Sequence, residues 1–305
     1  MTKRALLFPG QGAQKPGMAQ DLYEELPSAH DYLDTLNAAL PFDMLHLMFN
    51  DEEQLGLTQY TQPAIVSHST AVLNELSIDY DYTIGHSLGE YAALAASHVI
   101  SADDAVKIVA KRGELMATAF PRGTGSMAAV LGLTVDEVSA ICKQISTDEL
   151  TVEPANLNCP GQIVVSGHQE KIDELVRDGK TLGAKRVLPL NVSGPFHSSM
   201  MQVISDEFSA FLDQFEFNDA KVPVVQNTTA QAVTNKDEIK QQLIRQLYSP
   251  VRFEESIRFL LDQGVTEFIE LGPNKVLSGL VKKINRDVTI TAIGTVDEIK
   301  EWNKQ

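Results

Sequence analysis

The sequence predicts an α/β protein whose large domain is built on a parallel sheet and is interrupted by a smaller α+β domain. Short apolar runs such as Ala5–Phe8 alternate with longer stretches of helical periodicity toward both ends of the chain, as in a parallel sheet with crossover helices. A glycine-flanked serine, Ser87, separates a strand-like run from a helix-forming stretch. Between residues 124 and 190 the order changes to β-α-β-β-α-β, which indicates a separate small domain.

The first strand, Ala5–Phe8, runs directly into a glycine-rich loop at residues 9–14. A phosphate-binding loop would end in Gly-Lys-Ser/Thr, but here Pro16 follows Lys15, and the third glycine of a dinucleotide fingerprint is also missing. We therefore expect the exposed backbone N–H groups of this loop to stabilise a developing oxyanion.

Proline and serine mark the helices that follow. Residues 18–40 predict two helices separated at Pro27. A further helix is expected to begin at Thr61 or Gln62, with Pro63 in its first turn, and to run to about residue 76. Proline is tolerated there because the first turn of a helix leaves its N–H groups unpaired.

The helix expected to begin after Ser101 contains two residues of interest. It runs through Arg112 to about Ala119, with Ser101 as its cap. Gly113 lies inside this helix, where glycine costs about 1 kcal/mol relative to alanine. We therefore expect another part of the molecule, or a ligand, to approach the backbone of the helix closely at Gly113.

The small domain has the order of a ferredoxin-like split motif, with a capping box at Thr134–Glu137 that opens its first helix. Its expected strands are 126–131, 151–158, 163–166 and 185–190, and its second helix is 169–180. We assign residues 124–190 to this inserted ferredoxin-like domain, and residues 1–123 and 191–305 to a large α/β-hydrolase-like domain. The second part of the large domain is expected to contain helices at 200–211, from about 236, from about 251 and at 276–284, and strands at 222–225, 268–271 and 288–293.

Composition excludes several classes of function. The formal net charge of −16 argues against nucleic acid as a partner, because phosphate binding needs a basic surface. The apolar run at the start is too short for a signal peptide, and no stretch is long and apolar enough to span a bilayer. Two cysteines, Cys142 and Cys159, form neither a disulfide framework nor a metal site by themselves. These features predict a cytoplasmic protein.

The pattern Gly85-x-Ser87-x-Gly89 is that of a nucleophile elbow. A serine at a sharp strand-to-helix turn takes a strained conformation, and flanking glycines remove the Cβ atoms that would collide there. The helix that follows directs N–H groups and its positive dipole end toward the reaction centre. The pattern therefore predicts a nucleophilic Ser87, although a chance match in a glycine-containing turn is the alternative.

A base must activate such a serine, and the chain has seven histidines. Four lie in or beside ordinary helices and His168 lies at a helix start in the small domain. His86 adjoins Ser87, but adjacent residues at a strand end point to opposite sides. His197, in a Gly-Pro loop between a strand and a helix, is the best candidate, the alternative being that it caps its own helix. With 41 acidic residues, no third member of a triad can be named.

Eight motifs in order, spread over nearly the whole chain, resemble those of the malonyl-CoA:acyl carrier protein transacylases of fatty-acid synthesis. They are Phe8-Pro9-Gly10-Gln11-Gly12-Ala13-Gln14, Gln62-Pro63-Ala64, Gly85-His86-Ser87-Leu88-Gly89-Glu90-Tyr91, Arg112-Gly113, Asn158-Cys159-Pro160-Gly161-Gln162, Gly194-Pro195-Phe196-His197-Ser198, Arg245-Gln246-Leu247-Tyr248 and Glu270-Leu271-Gly272-Pro273. The resemblance implies transfer of a malonyl group from malonyl-CoA to the phosphopantetheine thiol of acyl carrier protein. It implies no cofactor, since the CoA thioester is a substrate.

The same resemblance implies roles for individual residues. Ser87 becomes malonylated and His197 is the base, while the backbone N–H groups of Gln11 and Leu88 form the oxyanion hole. Gln246 orients the imidazole through its main-chain carbonyl and belongs to the substrate-binding positions. Arg112 holds the malonyl carboxylate, for which a planar guanidinium is suited because it forms two parallel hydrogen bonds.

Other functions remain open at the level of sequence. A serine hydrolase, or a transacylase of polyketide synthesis or malonate decarboxylation, would use the same chemistry. A non-catalytic subunit that binds the carrier protein would keep the fold without the reaction. Because acyl carrier proteins of this pathway are acidic, as is this chain, docking is expected to use a local basic patch from residues 180–186 and 275–286. The alternative is that these lysines belong to a solvated helix face.

Overall fold

The computed structural model describes residues 2–304 and contains two separate β-sheets. The strands are β1 (Lys3–Phe8), β2 (Tyr82–Gly85), β3 (Gly125–Leu131), β4 (Val152–Cys159), β5 (Gln162–His168), β6 (Arg186–Pro189), β7 (Val224–Val225), β8 (Ala232–Val233), β9 (Val265–Leu271) and β10 (Thr289–Ile293). The larger sheet has the order β10-β9-β1-β2-β7-β8 and is parallel except for the pairing of β8 with β7. The smaller sheet is antiparallel, in the order β4-β5-β3-β6.

Helices surround both sheets. They are α1 (Gln20–Glu25), α2 (Pro27–Ala38), α3 (Met44–Asn50), α4 (Glu52–Leu55), α5 (Thr58–Asn74), α6 (Gly89–Ala96), α7 (Ala102–Thr118), α8 (Val135–Ile145), α9 (Gln169–Asp178), α10 (Ser205–Leu212), α11 (Lys236–Gln246), α12 (Phe253–Asp262), α13 (Val276–Ile284) and α14 (Val296–Trp302), with a 3-10 helix at Ser199–Ile204. Within residues 2–304, no helix combines the length and apolar character that a bilayer crossing requires.

The larger sheet is buried on both faces. Successive side chains of a strand point to opposite sides, so Leu6 and Phe8 pack with α5, α6 and α7, whereas Ala5 and Leu7 pack with α12 and α13. A third apolar cluster lies between the smaller sheet and the helices α8 and α9. These clusters hold the carboxyl ends of the parallel strands in place, where the candidate site is found.

Most of the predicted elements are present. Two helices meet at Pro27, which is the first residue of α2. The Ser101 side chain accepts a hydrogen bond from Asp104 N at the start of α7, and Thr134 forms the expected capping box with Glu137 at the start of α8. The helices α3, α4 and α14 and the short strand β8 were outside the prediction, because their short sequences carry little periodicity.

The prediction for α5 was wrong at its beginning. The helix starts at Thr58, three residues earlier than expected, so that Pro63 lies inside it rather than in its first turn. The N–H that Pro63 lacks would otherwise bond to the carbonyl of Gln59. The segment from Ser199 to Leu212 also differs from the single helix expected, since it begins with a 3-10 turn before α10.

The close approach expected at Gly113 is present. A Cβ atom on Gly113 would lie 2.7 Å from Gln59 Cα and 2.8 Å from the carbonyl oxygen of Thr58. Glycine therefore allows α7 to pack directly against the first turns of α5. This contact fixes the position of Arg112, which precedes Gly113 on α7, relative to Gln62 on α5.

The two sheets are joined next to the site by main-chain hydrogen bonds. Val251 N donates to Ala155 O and Leu157 N donates to Val251 O, both at 2.8 Å, which attaches β4 to the segment that leads into α12. Ser199 also donates through its N–H and its hydroxyl to the Glu153 carboxylate. The smaller sheet is therefore held in a fixed position beside the larger one.

Candidate active site

Ser87 lies at a sharp turn between β2, which ends at Gly85, and α6, which begins at Gly89. Its φ of 54° is in the left-handed region that non-glycine residues seldom adopt. A Cβ atom on Gly85 would come within 1.9 Å of Gly89 C, and one on Gly89 within 2.1 Å of Phe8 O. The two glycines are thus required by the turn, which has the geometry of the elbow that the sequence predicts.

Ser87 and His197 are in hydrogen-bond contact, with 2.7 Å between Oγ and Nε2. On the other side of the ring, His197 Nδ1 lies 2.8 Å from the carbonyl oxygen of Gln246. A carbonyl oxygen only accepts, so Nδ1 carries the hydrogen and Nε2 presents its lone pair to the Ser87 hydroxyl. The imidazole is thereby arranged to accept the proton of the serine, and among residues 2–304 it is oriented by this carbonyl and not by a carboxylate.

The environment of His197 keeps its ring neutral. Burial, followed by the positive charge of Arg112, lowers the pKa of His197 to about 3. At neutral pH the Nε2 lone pair is therefore available, as a general base requires. Its low basicity also means that neutralising the charge of Arg112 would raise the affinity of His197 for a proton.

Arg112 is fully buried and donates to the same serine oxygen. Its Nη2 lies 3.1 Å from Ser87 Oγ and 2.9 Å from Gln246 Oε1, and its Nη1 lies 2.7 Å from Gln62 Oε1. Its Nε is buried and has no protein partner among residues 2–304. Burial lowers the pKa of Arg112, but a guanidinium stays charged in proteins. The site therefore contains a cation with donor capacity left over for an anionic ligand.

Gln11 and Leu88 line the same cavity as Ser87. Gln11 belongs to the loop after β1, and Leu88 is the residue that precedes α6. Within the described part of the chain, neither N–H donates to another protein group. Both are therefore free to donate to an oxygen atom placed beside Ser87.

His86 points away from the serine hydroxyl, as expected for its neighbour in the chain. Its Nε2 lies 2.8 Å from Asn158 Oδ1 on β4, and its ring packs against Phe253 at 5.6 Å between centroids. Burial lowers the pKa of His86 below the ordinary value for histidine. This residue connects the serine turn to the smaller sheet.

Three site residues escaped the sequence analysis as individual candidates: Gln62, Glu90 and Asn227. Gln62 binds Arg112, and Asn227 Oδ1 accepts the hydrogen bond of Ser87 N at 2.8 Å. Gln62 and Glu90 are buried within helices, and Asn227 is buried two residues after β7, which pairs with β2. A buried amide or carboxylate in such a position is the signal that would have indicated them.

The two cysteines take no part in this cluster. Cys142 and Cys159 are free and buried, and burial raises the pKa of the Cys142 thiol to about 12. An un-ionised thiol is a poor nucleophile. Nowhere in residues 2–304 do three His, Cys, Asp or Glu side chains come together in an arrangement suited to a metal ion.

The cavity beside Ser87 is small, with a volume of about 100 Å³. Its apolar wall is formed mainly by Met116, Met127, Leu190, Val192 and Phe196. Pockets for larger ligands usually have about 300–1,000 Å³, so this space fits a short acyl group. A larger cleft of about 590 Å³ adjoins it and shares Gln11 and Val192 with it.

Comparison with known proteins agrees with this geometry. Residues 5–300 match the family model of the acyl transferase domain. The chain is 60% identical to the malonyl CoA-acyl carrier protein transacylase of Staphylococcus aureus strain MRSA252, over 100% of this chain and 99% of that protein. Among solved structures, it is similar to MCAT from Streptococcus pneumoniae, with a TM-score of 0.93, 41% identity, and coverage of 99% of this chain and 100% of that one. It is also similar to a malonyl-transacylase solved in complex with a type II polyketide synthase acyl-carrier protein, with a TM-score of 0.95, 35% identity and 99% coverage of both chains.

Proposed function

This chain belongs to the malonyl CoA-acyl carrier protein transacylases, and from that premise we propose how its residues perform the reaction. The enzyme transfers a malonyl group from malonyl-CoA to acyl carrier protein for fatty-acid synthesis. One observation carries the proposed mechanism. A nucleophile, a base and a carboxylate receptor converge on a single oxygen, since Ser87 Oγ lies 2.7 Å from His197 Nε2 and 3.1 Å from Arg112 Nη2.

The reaction proceeds in two half-reactions through a malonyl-serine. Ser87 Oγ attacks the thioester carbon while its proton passes to His197 Nε2, and the carbon–sulfur bond then breaks as His197 returns the proton to the CoA sulfur. In the second half-reaction the phosphopantetheine thiol of acyl carrier protein gives its proton to His197 and attacks the ester carbon. The bond to Ser87 Oγ then breaks as His197 returns the proton to this oxygen, and the malonyl group leaves on the carrier protein. The N–H groups of Gln11 and Leu88 stabilise the oxyanion in both halves.

Arg112 selects the acyl group by its charge. A malonyl carboxylate in the small cavity can accept hydrogen bonds from the N–H groups of Arg112 that have no protein partner. A neutral acetyl group leaves these N–H groups unpaired. Pairing also offsets the charge that depresses the basicity of His197. The substrate carboxylate thereby favours both binding and proton transfer, and the Gln246 side chain supports it by holding Arg112 Nη2.

The adjoining cleft is suited to the arm that carries the thioester. Its lining is rich in uncharged polar side chains, including Gln11, Gln59, Gln169, Asn191 and Ser193. The Ser193 hydroxyl is buried without a protein partner among the described residues. A pantetheine arm contains two amide groups that need such hydrogen-bond partners, so we place the arm in this cleft. The thioester supplies its own activated acyl group, and we propose that no cofactor is needed.

We further propose the domain organisation and location that the sequence indicates. The large sheet and its elbow support an α/β-hydrolase-like domain of residues 1–123 and 191–305. The strand order β4-β5-β3-β6, with α8 and α9 in the crossovers, supports a ferredoxin-like inserted domain of residues 124–190. Two free, buried cysteines are in keeping with the reducing cytoplasm.

Transfer kinetics with purified acyl carrier protein test this proposal. Labelled malonyl-CoA should give labelled carrier protein with ping-pong kinetics, and Ser87→Ala should transfer nothing. A hydrolase would release malonate at the same rate without carrier protein, and a non-catalytic subunit would leave malonyl-CoA intact. Either result, or a Ser87→Ala variant that still transfers malonyl groups, would contradict the proposal.

A further inference from the structure

Glu90 is a buried carboxylate that the mechanism above does not use. It is the second residue of α6, directly behind the serine turn, and only 1% of its surface is exposed. Its Oε2 accepts hydrogen bonds from Asn227 N and from Gln246 Nε2, both at 3.0 Å. Its Oε1 has no protein partner among residues 2–304. A buried carboxylate this incompletely paired is costly and calls for an explanation.

Two amide side chains connect Glu90 to the reacting groups. Gln246 donates to Glu90 through Nε2 and accepts from Arg112 Nη2 through Oε1 at 2.9 Å. Asn227 donates to Glu90 through its N–H, while its Oδ1 accepts from Ser87 N and its Nδ2 donates to Gly85 O at 2.6 Å. Glu90 is therefore linked to Arg112 through a single residue, Gln246. It is linked to Ser87 through a single residue as well, Asn227.

The positive charge of Arg112 and the negative charge of Glu90 are not in direct contact. Arg112 is fully buried, and within the described part of the chain no carboxylate lies at ion-pair distance from it. Glu90 supplies the opposing charge across the Gln246 amide. The titratable groups that face Glu90 are Arg112 on α7 and Tyr91 on its own helix, whereas Asn227 and Gln246 present only amides.

Burial raises the pKa of Glu90 to about 7, against the opposing effects of the two hydrogen bonds and of Arg112. The carboxylate charge is therefore present above about pH 7 and is lost as the pH falls through that value. An ordinary glutamate would stay ionised throughout this range. Malonyl-CoA brings a second carboxylate to the same guanidinium.

We propose that Glu90 is a positioning residue whose buried charge balances Arg112, through Gln246, and so sets how strongly the guanidinium acts on Ser87, His197 and the substrate carboxylate. The inference rests on the proposed function. With Glu90 charged, Arg112 depresses the basicity of His197 less. Without that charge, Arg112 holds the malonyl carboxylate more tightly but His197 accepts the Ser87 proton less readily.

The substitution Glu90→Gln separates charge from hydrogen bonding. The glutamine carbonyl can accept both hydrogen bonds that Oε2 now accepts, and its NH₂ group would replace the unpartnered Oε1. For Glu90→Gln we expect the rate constant of malonyl-enzyme formation to fall about tenfold and the KM for malonyl-CoA to fall as well, since groups in one buried network are energetically coupled. For acetyl-CoA the rate constant should fall, while the KM should not decrease.

The pH profile gives a readout that a merely structural role would not change. Between about pH 6 and 8, acylation of the wild type should show an inflection near pH 7, and Glu90→Gln should lack it and match the low-pH rate of the wild type. Glu90→Asp should keep the inflection. The matched control is Glu270→Gln, at a second buried glutamate that binds the first turn of α13, which should keep the wild-type profile.

Two outcomes would overturn the inference. One is a Glu90→Gln variant with wild-type kcat, KM and pH profile, because Glu90 would then act only through its hydrogen bonds. The other is a wild-type profile that is flat through pH 7, which decides the matter even if Glu90→Gln fails to fold. A wild type that forms no malonyl-enzyme at any pH would instead contradict the proposed function.

Discussion

At the scale of single residues, the site depends on the neutral imidazole of His197. Its Nδ1 hydrogen is fixed by a carbonyl oxygen rather than by a carboxylate. A backbone carbonyl orients the ring without adding a negative charge that would strengthen the base. The basicity of His197 is therefore governed by burial and by the charge of Arg112, and it responds to what Arg112 binds.

Replacing His197 by alanine should slow malonyl-enzyme formation by about 10²–10⁴-fold, the usual effect of losing a general base. Single-turnover acylation with labelled malonyl-CoA measures this rate directly. His46→Ala, at an exposed histidine on α3, is the control and should acylate at the wild-type rate. Unchanged acylation in His197→Ala would remove this residue from the mechanism.

Replacing Arg112 by alanine should reverse the preference for a charged acyl group. Malonyl transfer should fall by about two orders of magnitude or more, because a buried charge pair is lost, while activity toward acetyl-CoA should rise relative to malonyl-CoA. Arg112→Lys keeps the charge without the planar pair of donors and should fall between these values. If both substrates lose activity in parallel, Arg112 is a structural residue instead.

Sequence reasoning was most effective where one residue carries a steric or chemical requirement. Ser87 could be found because its turn admits only glycine on both sides, and His197 because it lies in a loop between a strand and a helix. Gln62, Asn227 and Glu90 could not be found as site residues in this way. Their contacts join segments that are 19–156 residues apart in the chain, and such contacts depend on tertiary packing.

At the scale of elements, the packing of α7 against α5 places Arg112. The first turns of α5 lie so close to Gly113 that no side chain fits between the helices. Sequence indicated the close approach but not its partner. The beginning of α5 at Thr58 was not predicted either. Proline ordinarily marks the first turn of a helix, and tertiary contacts override that preference at Pro63.

Gly113→Ala should destabilise the protein although alanine is the better helix former. We expect the steric cost of about 1–3 kcal/mol to exceed the gain of about 1 kcal/mol in helix propensity. Denaturant unfolding measures the net change in the free energy of unfolding. The control is Gly279→Ala in α13, where a Cβ atom would meet nothing within 4 Å and should stabilise the protein. A stabilised Gly113→Ala variant would show that the two helices separate at little cost.

At the scale of the whole molecule, an acidic protein must receive an acidic partner. The chain has a net charge of −16, so electrostatic attraction of an acidic partner requires a local cluster of positively charged side chains. Arg186 on β6 pairs with Leu131, which also pairs with Gln162 on β5, and Lys283 Nζ lies 3.2 Å from Gln162 Oε1.

These contacts bring Arg186 and Lys283 close together. With their chain neighbours Lys185 and Lys282, these residues are here called the basic patch. All four are exposed, and none forms an ion pair within the described chain. Lys275, which the sequence analysis grouped with them, is bound to Glu298 and contributes less.

Reversing Arg186, Lys282 and Lys283 to glutamate should raise the KM for acyl carrier protein about tenfold at low salt and flatten its salt dependence. The malonyl-CoA half-reaction should change less. Lys221, Lys236 and Lys304 lie outside the basic patch and are also exposed, so their reversal to glutamate gives a control with the same net charge. Equal effects of the two triple variants would show that net charge, and not the patch, governs docking.

In the proposed mechanism Ser87 carries the malonyl group between the two half-reactions. Rapid-quench mass spectrometry of the enzyme mixed with malonyl-CoA, followed by peptide mapping, detects this group and locates it. We expect one malonyl group per chain, located on the peptide containing Ser87, lost on addition of acyl carrier protein and absent from Ser87→Ala. A malonyl group on another residue, or transfer to the carrier protein without any acylated enzyme, would contradict it.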